Sequence, residues 1–90
     1  MGEHIVRVKL DVLKYHQPNI LELASILAKS IPSVNVVRIT TVEINTTTET
    51  VSLIVEGKNL DFKQLKEVLD KYNCSIHSID EVVVYKVKKE

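Results

Sequence analysis

The sequence predicts an α+β domain with the elements in the order strand, helix, strand, strand, helix, strand. Three observations carry that expectation. Four stretches rich in valine, isoleucine and threonine alternate apolar and polar residues, the period of a strand with one buried face. Two stretches between them repeat apolar residues at helical spacing and are bracketed by proline or by a capping residue. The whole fits in 90 residues, enough for one domain spanning 1–90 with a single two-layer core.

Residues 4 to 14 form the first strand, with Val6, Val8, Leu10 and Val12 on one face and Arg7, Lys9 and Asp11 on the other beside Ile5 and Leu13. Gln17-Pro18-Asn19 breaks the alternation. Pro18 suits the first turn of a helix, where its missing N–H would have no intrahelical partner. Ile20, Leu23, Ala24, Leu27 and Ile31 then mark an amphipathic helix over 18 to 30, closed by Pro32. Val34 to Asn45 reads as the second strand, with Val42 and Ile44 on one face and Thr41 and Glu43 on the other.

The polar tract Asn45-Thr46-Thr47-Thr48-Glu49 reads as a loop. Beyond it Val51, Leu53 and Val55 alternate with Thr50, Ser52 and Ile54, up to Gly57, so the second and third strands should form an antiparallel hairpin. Asp61 stands at an N-cap position with Gln64 three residues on, the pattern of a capping box. Phe62, Leu65, Val68, Leu69 and Tyr72 make the buried stripe of the second helix, which ends near Asn73. The last strand runs from about Ser75 to Val87, with the tail Lys86-Val87-Lys88-Lys89-Glu90 expected to fray.

This order is the split βαβ, or ferredoxin-like, plan: a four-stranded antiparallel sheet in the order 4-1-3-2, with both helices on one face and the other face bare.

Composition narrows the function. Twelve basic and twelve acidic residues cancel, so no net field draws the chain to nucleic acid or to an anionic membrane. Hydrophobic residues make up 44% and the mean hydropathy is +0.04, well outside the range of disordered chains. A single cysteine, Cys74, excludes an internal disulfide and a cysteine-rich zinc site, and reads as a small buried apolar group. No apolar run approaches membrane-spanning length, and Met1-Gly2-Glu3-His4 has neither the basic region nor the apolar core of a secretory signal. A cytoplasmic protein is expected, so the sequons Asn45-Thr46-Thr47 and Asn73-Cys74-Ser75 carry no weight.

Several chemistries found on such sandwiches are also set aside. The central strands offer Val-Lys-Leu-Asp-Val and Val-Ser-Leu-Ile-Val, with no aromatic platform for stacking RNA bases. Paired thiols for copper are missing. The only glycines, Gly2 and Gly57, cannot make a phosphate-cradling loop.

The topology gathers Asp11, Glu43, Thr50, Ser52 and the segment His77 to Asp80 at one end of the sheet, with Asp11, Glu43 and Ser52 on the helix-free face. Strands lie about 4.8 Å apart, so Asp11 and Glu43, two strands apart, need a water or another side chain to share an ion. Asp80 or His77 on the fourth strand should stand directly beside Asp11. Carboxylates with a hydroxyl and water suit Mg²⁺ or Ca²⁺, and adding His77 or His16 admits a transition metal. Asp11, Glu43, His77 and Asp80 are therefore candidate metal ligands, and Glu43, Ser52 and His77 candidate contacts for a small ligand. The same acids also read as a solvated face balanced by Arg7, Lys9 and Arg38. No nucleophile or catalytic pairing is evident.

Val82, Val83, Val84, Tyr85 and Val87 are apolar on both faces of a strand that should lie at the sheet edge. An exposed apolar edge invites another chain, and Ile5, Leu13 and Ile54 should extend the apolar area of the open face. A homo-oligomer is expected.

Asp11-Val12-Leu13-Lys14 with His16 and Pro18, then Val42-Glu43-Ile44, Leu60-Asp61-Phe62 and above all Ile76-His77-Ser78-Ile79-Asp80-Glu81-Val82 resemble a family of short archaeal proteins catalogued as domain of unknown function 211. The likeness covers nearly the whole chain. It implies a ferredoxin-like fold and assembly into oligomers, with no established activity. Asp11, Glu43, His77 and Asp80 match the family pattern, whereas Tyr15 stands in place of an expected proline and Asn45 in place of an expected aspartate. The reading that results is an oligomeric, non-enzymatic binding or regulatory module for a small ligand or divalent ion. A metal-assisted enzyme using the four matching residues and a purely structural assembly protein are the alternatives.

Overall fold

The computed structural model describes residues 3–86. It holds β1 (Glu3–Tyr15), α1 (Ile20–Ser30), β2 (Val34–Ile44), β3 (Thr48–Gly57), α2 (Phe62–Lys71) and β4 (Ser75–Lys86). All neighbouring strands are antiparallel, in the order β2-β3-β1-β4. This is the expected ferredoxin-like sandwich. Val87 to Glu90, with most of the tail expected to fray, lie outside the described residues.

Alternation decides the core. Val8, Leu10 and Val12 of β1 and Val51, Leu53 and Val55 of β3 are buried against Leu23, Leu27 and Ile31 from the first helical segment and Leu60, Leu65, Leu69 and Cys74 from the second. Strand and helix lengths do not match. The 13 residues of β1 span about 43 Å at the rise of a strand, while the 11 residues of α1 reach about 16 Å. The molecule is accordingly drawn out to 55 × 23 × 17 Å, and the ends of the sheet project beyond the helices.

Several local expectations are corrected. The Gln17-Pro18 peptide is cis and precedes α1, whose N-cap is Asn19. Its side chain accepts from the Glu22 N–H while Glu22 accepts from the Asn19 N–H, a reciprocal capping box. At α2, Asp61 caps the Gln64 N–H, but the Gln64 side chain turns away to the Ser30 carbonyl, so the box is only half formed. Irregularities also shift three strands by a residue. In β1 the pairing skips Val6, and Ile5 instead of Val6 packs toward the core. In β2 it skips Val42, which places Thr41 opposite core-facing Val51 and Glu43 opposite Thr50 on the open face. Thr41 and Glu43 therefore lie on opposite faces, because an extra residue in one strand reverses the alternation after it. In β4 it skips both His77 and Asp80.

Two turns show why particular residues are there. A side chain at Gly57 would fall on the Ser33 carbonyl oxygen, so only glycine lets β3 end against the start of β2. Asn73 adopts φ 60°, and the Asn73 and Cys74 N–H groups return to the Asp70 and Leu69 carbonyls, which closes α2 as a Schellman motif and turns Cys74 into the core.

Candidate functional site

The open face is built from rows of residues that face one another across the strands. In one row Ser78, Asp11, Ser52 and Thr40 follow in order across β4, β1, β3 and β2. Ser78, not His77 or Asp80, is thus the neighbour of Asp11. The two irregularities in β4 are the reason: they take His77 and Asp80 out of the ladder and leave Ser78 in register. The Ser78 hydroxyl donates to the Asp80 carboxylate at 2.8 Å, which ties the second irregularity to the row. Glu43 stands in the next row toward the β2–β3 turn, opposite Thr50 and in line with Leu13. Asp11, Glu43 and Ser52 therefore share the open face as expected. Among the described residues no three of His, Cys, Asp and Glu converge closely enough to hold a metal ion. Within one chain, Asp11, Glu43, His77 and Asp80 do not come together as one group, and a bound ion would need donors from water or from another molecule.

Further along the same face Arg7 joins three strands. Its guanidinium bonds Glu56 of β3 through Nη1 and Glu81 of β4 through Nε, the latter at 2.7 Å. Lys9 and Arg38 carry no ion pair among the described residues.

A second charged group lies on the opposite face and was not singled out from the sequence. The Lys14 side chain is fully buried, with Nζ 2.6 Å from Glu49 Oε2 and donating also to the Tyr15 carbonyl at 2.7 Å. Hydrogen bonding from the Lys14 ammonium holds the Glu49 carboxyl below the usual carboxylate range, against the opposing effect of burial. His16 completes the group: Nδ1 is 3.6 Å from Glu49 Oε1, and Nε2 is 3.1 Å from the Thr46 carbonyl. The three side chains join the end of β1, the start of β3 and the β2–β3 turn. The signal for them was present in the sequence, since Lys14 continues the parity of Val8, Leu10 and Val12, and Glu49 that of Val51, Leu53 and Val55. Opposite charges at the inward positions of two paired strands point to a buried pair.

Beside this group a cavity of about 350 Å³ is lined by Lys14, Tyr15, Thr48, Asp70, Asn73 and Cys74, among others. Burial pushes the Cys74 thiol pKa up, and the sulfur lies 3.6 Å from the Tyr72 carbonyl, packed into the core as a small apolar group.

The family model for domain of unknown function 211, described as "Uncharacterized ArCR", matches residues 6–88. The chain belongs to this family. The uncharacterized protein MJ0319 of Methanocaldococcus jannaschii is 44% identical to it over 82 residues, which cover 91% of this chain and 84% of the relative. Family membership brings the fold with it and assigns no chemistry. Tyr15 is exposed beside the cavity, and the Asn45 N–H donates to the Thr48 carbonyl to close the β2–β3 turn.

Proposed function

We propose that the protein is a self-associating, non-enzymatic binding module, with contacts between copies completing sites for a small ligand or a divalent ion at the acids of the open face. One observation carries this reading. Val82, Val83, Val84 and Tyr85 of β4 are between 40% and 61% exposed on an edge strand that pairs with β1 on one side and, among the described residues, with no strand on the other. Isolated apolar residues at a surface need no explanation, but a run of them along an open edge is a template for another chain. Asp11, Asp80 and Glu43 do not converge within one chain, so a second copy brought to the open face or the β4 edge would add the donors that one copy lacks. Asp11 and Asp80 then act as ion ligands, with Glu43, Ser52 and His77 toward the ligand. The single cysteine, which is buried, suits a cytoplasmic protein.

Native mass spectrometry of untagged, metal-replete protein tests the reading. The expected spectrum is an oligomer with retained mass, and Asp11→Ala or Asp80→Ala should remove that mass and leave the oligomer. A bare monomer at micromolar concentration would refute self-association. A bare oligomer would leave the acids as a solvated face.

A further inference from the structure

The sheet has two open edges, and they differ. On β4, Ile79, Val82 and Val84 face the helix side yet are about half exposed, because α2 leaves this strand uncovered. On β2 the relation is reversed: α1 runs along the strand, and Ile20, Leu21 and Ala24 form with residues 36–39 a groove of about 470 Å³. One edge lacks a cover and the other has an overhanging one.

We infer that the β4 edge of one copy pairs with the β2 edge of the next, antiparallel, with the aliphatic side chains of β4 passing under the neighbour's α1. This rests on the self-association proposed above and names the surface that performs it. Strand direction permits it directly. Successive strands in the order β2-β3-β1-β4 alternate, so β2 and β4 run in opposite senses. A second copy in the same orientation therefore meets β4 with an antiparallel β2, the relation of all other neighbours in the sheet.

The existing rows set the register. On the open face Glu81, Lys9, Ile54 and Arg38 form one row, and Val83, Arg7, Glu56 and Val36 form the next. On the helix side Val82, Val8, Val55 and Val37 form a row, and so do Ile79, Leu10, Leu53 and Ile39. Continuing these rows into a second copy sets Glu81 against its Arg38, Val83 against its Val36, Val82 against its Val37 and Ile79 against its Ile39. Ser78 falls against Thr40. Apolar meets apolar, acid meets base and hydroxyl meets hydroxyl, each on the matching face.

Other registers lose this match. Faces are kept only by slips of two residues. Slipping one way sets Val83 against Arg38 and Glu81 against Thr40, and slipping the other way sets Glu81 against Val36. Two-fold pairing of β4 with itself must also join residues of one face, which leaves Glu81 opposite Ser78, Glu81, Val83 or Tyr85 of the second copy, none of them a cation. The chosen register gives Arg38, which has no ion pair among the described residues, a carboxylate. Glu81 would then be shared between Arg7, already 2.7 Å away, and the incoming Arg38. A contact joining two different edges is head-to-tail, and it closes into a ring when the rotation between copies allows.

The full chain carrying Val36→Cys and Val83→Cys together, treated with a short bis-maleimide, tests the pairing. Both positions are exposed, at 48% and 40%, whereas Cys74 is 1% exposed, so the wild type serves as the unlabelled control. The expected result is a ladder of covalent species above the dimer on a denaturing gel, with each single variant remaining monomeric. Arg38→Glu should weaken assembly at least tenfold at low salt, and Arg38→Lys should preserve it. Covalent dimers from Val83→Cys alone would establish a β4–β4 contact and overturn this pairing while leaving self-association intact. An oligomer by native mass that yields no ladder from the double variant would also overturn the pairing. A monomer by native mass would remove the self-association on which it rests.

Discussion

Glu49 and Asp80 are both acids on strands of one sheet, and their circumstances are opposite. Glu49 faces the helices at the start of β3, with its side chain 11% exposed and in contact with a fully buried Lys14. Asp80 lies out of register in the edge strand, is exposed, and takes one hydrogen bond, from the Ser78 hydroxyl. A carboxylate withdrawn from water needs a partner that offsets lost hydration. Glu49 has that partner, and its bonding capacity is spent inside the fold. Asp80, like Asp11 on the open face, has no ion-pair partner among the described residues. One acid is tied into the fold, and the other stays open to solvent.

The sharpest way to break this contrast is to remove the buried cation. Lys14→Met leaves the Glu49 carboxylate without its ammonium, and a stranded buried charge costs about 3–5 kcal/mol. Urea denaturation at fixed protein concentration should show a loss of that size. Adding Glu49→Leu should recover most of it, because replacing both members of a buried pair with apolar groups is often neutral. If Lys14→Met alone changed stability by less than about 1 kcal/mol, the pair would be ornamental and the distinction between the two acids would fail.

Acid sharpens the same comparison. The Glu49 carboxyl is held below its ordinary value of 4.5, chiefly by hydrogen bonding from Lys14. A depressed carboxylate contributes stability that is complete above the unfolded-state pKa and is lost as pH falls through the folded-state value. Stability should therefore begin to decline below about pH 5 and keep declining as the solution becomes more acidic. Glu49→Gln should flatten that decline when unfolding is followed from pH 6 to pH 3. An unchanged slope would assign the acid sensitivity to other carboxylates.

Much of the fold was legible because the sheet obeys a simple period. Val8, Leu10 and Val12 alternate with Arg7, Lys9 and Asp11, and the strand order follows from the order of elements. The site was less legible because it depends on where that period breaks. Nothing in Ile76-His77-Ser78-Ile79-Asp80-Glu81 announces that His77 and Asp80 drop out of the ladder, since an irregularity is set by how two strands fit together and not by either one alone. The displacement of Val6 by Ile5 at the core face has the same origin. Lys14 was missed for a different reason. Its position on the inward face was readable, but a lysine at the end of an apolar series looks like a strand terminus until a carboxylate is found across the sheet at Glu49.

The smallest expected effect is the most informative about binding. Asp80→Asn keeps an acceptor for the Ser78 hydroxyl and removes only charge, and Asp11→Asn does the same between two serines. With no buried partner to strand, each should change stability by no more than about 0.5 kcal/mol. Asp80 is also followed directly by Glu81, so loss of its charge relieves like-charge repulsion at the edge and a slight gain is the expected sign. The relevant comparison is between the same variants with and without added Ca²⁺ or Mg²⁺. Where an ion binds the folded protein, the wild type gains thermal stability in proportion to the logarithm of ion concentration and the two variants do not. A loss above about 1 kcal/mol in the absence of metal would place Asp80 with Glu49 as a residue the fold itself requires, and the open face would lose its claim to be the functional one.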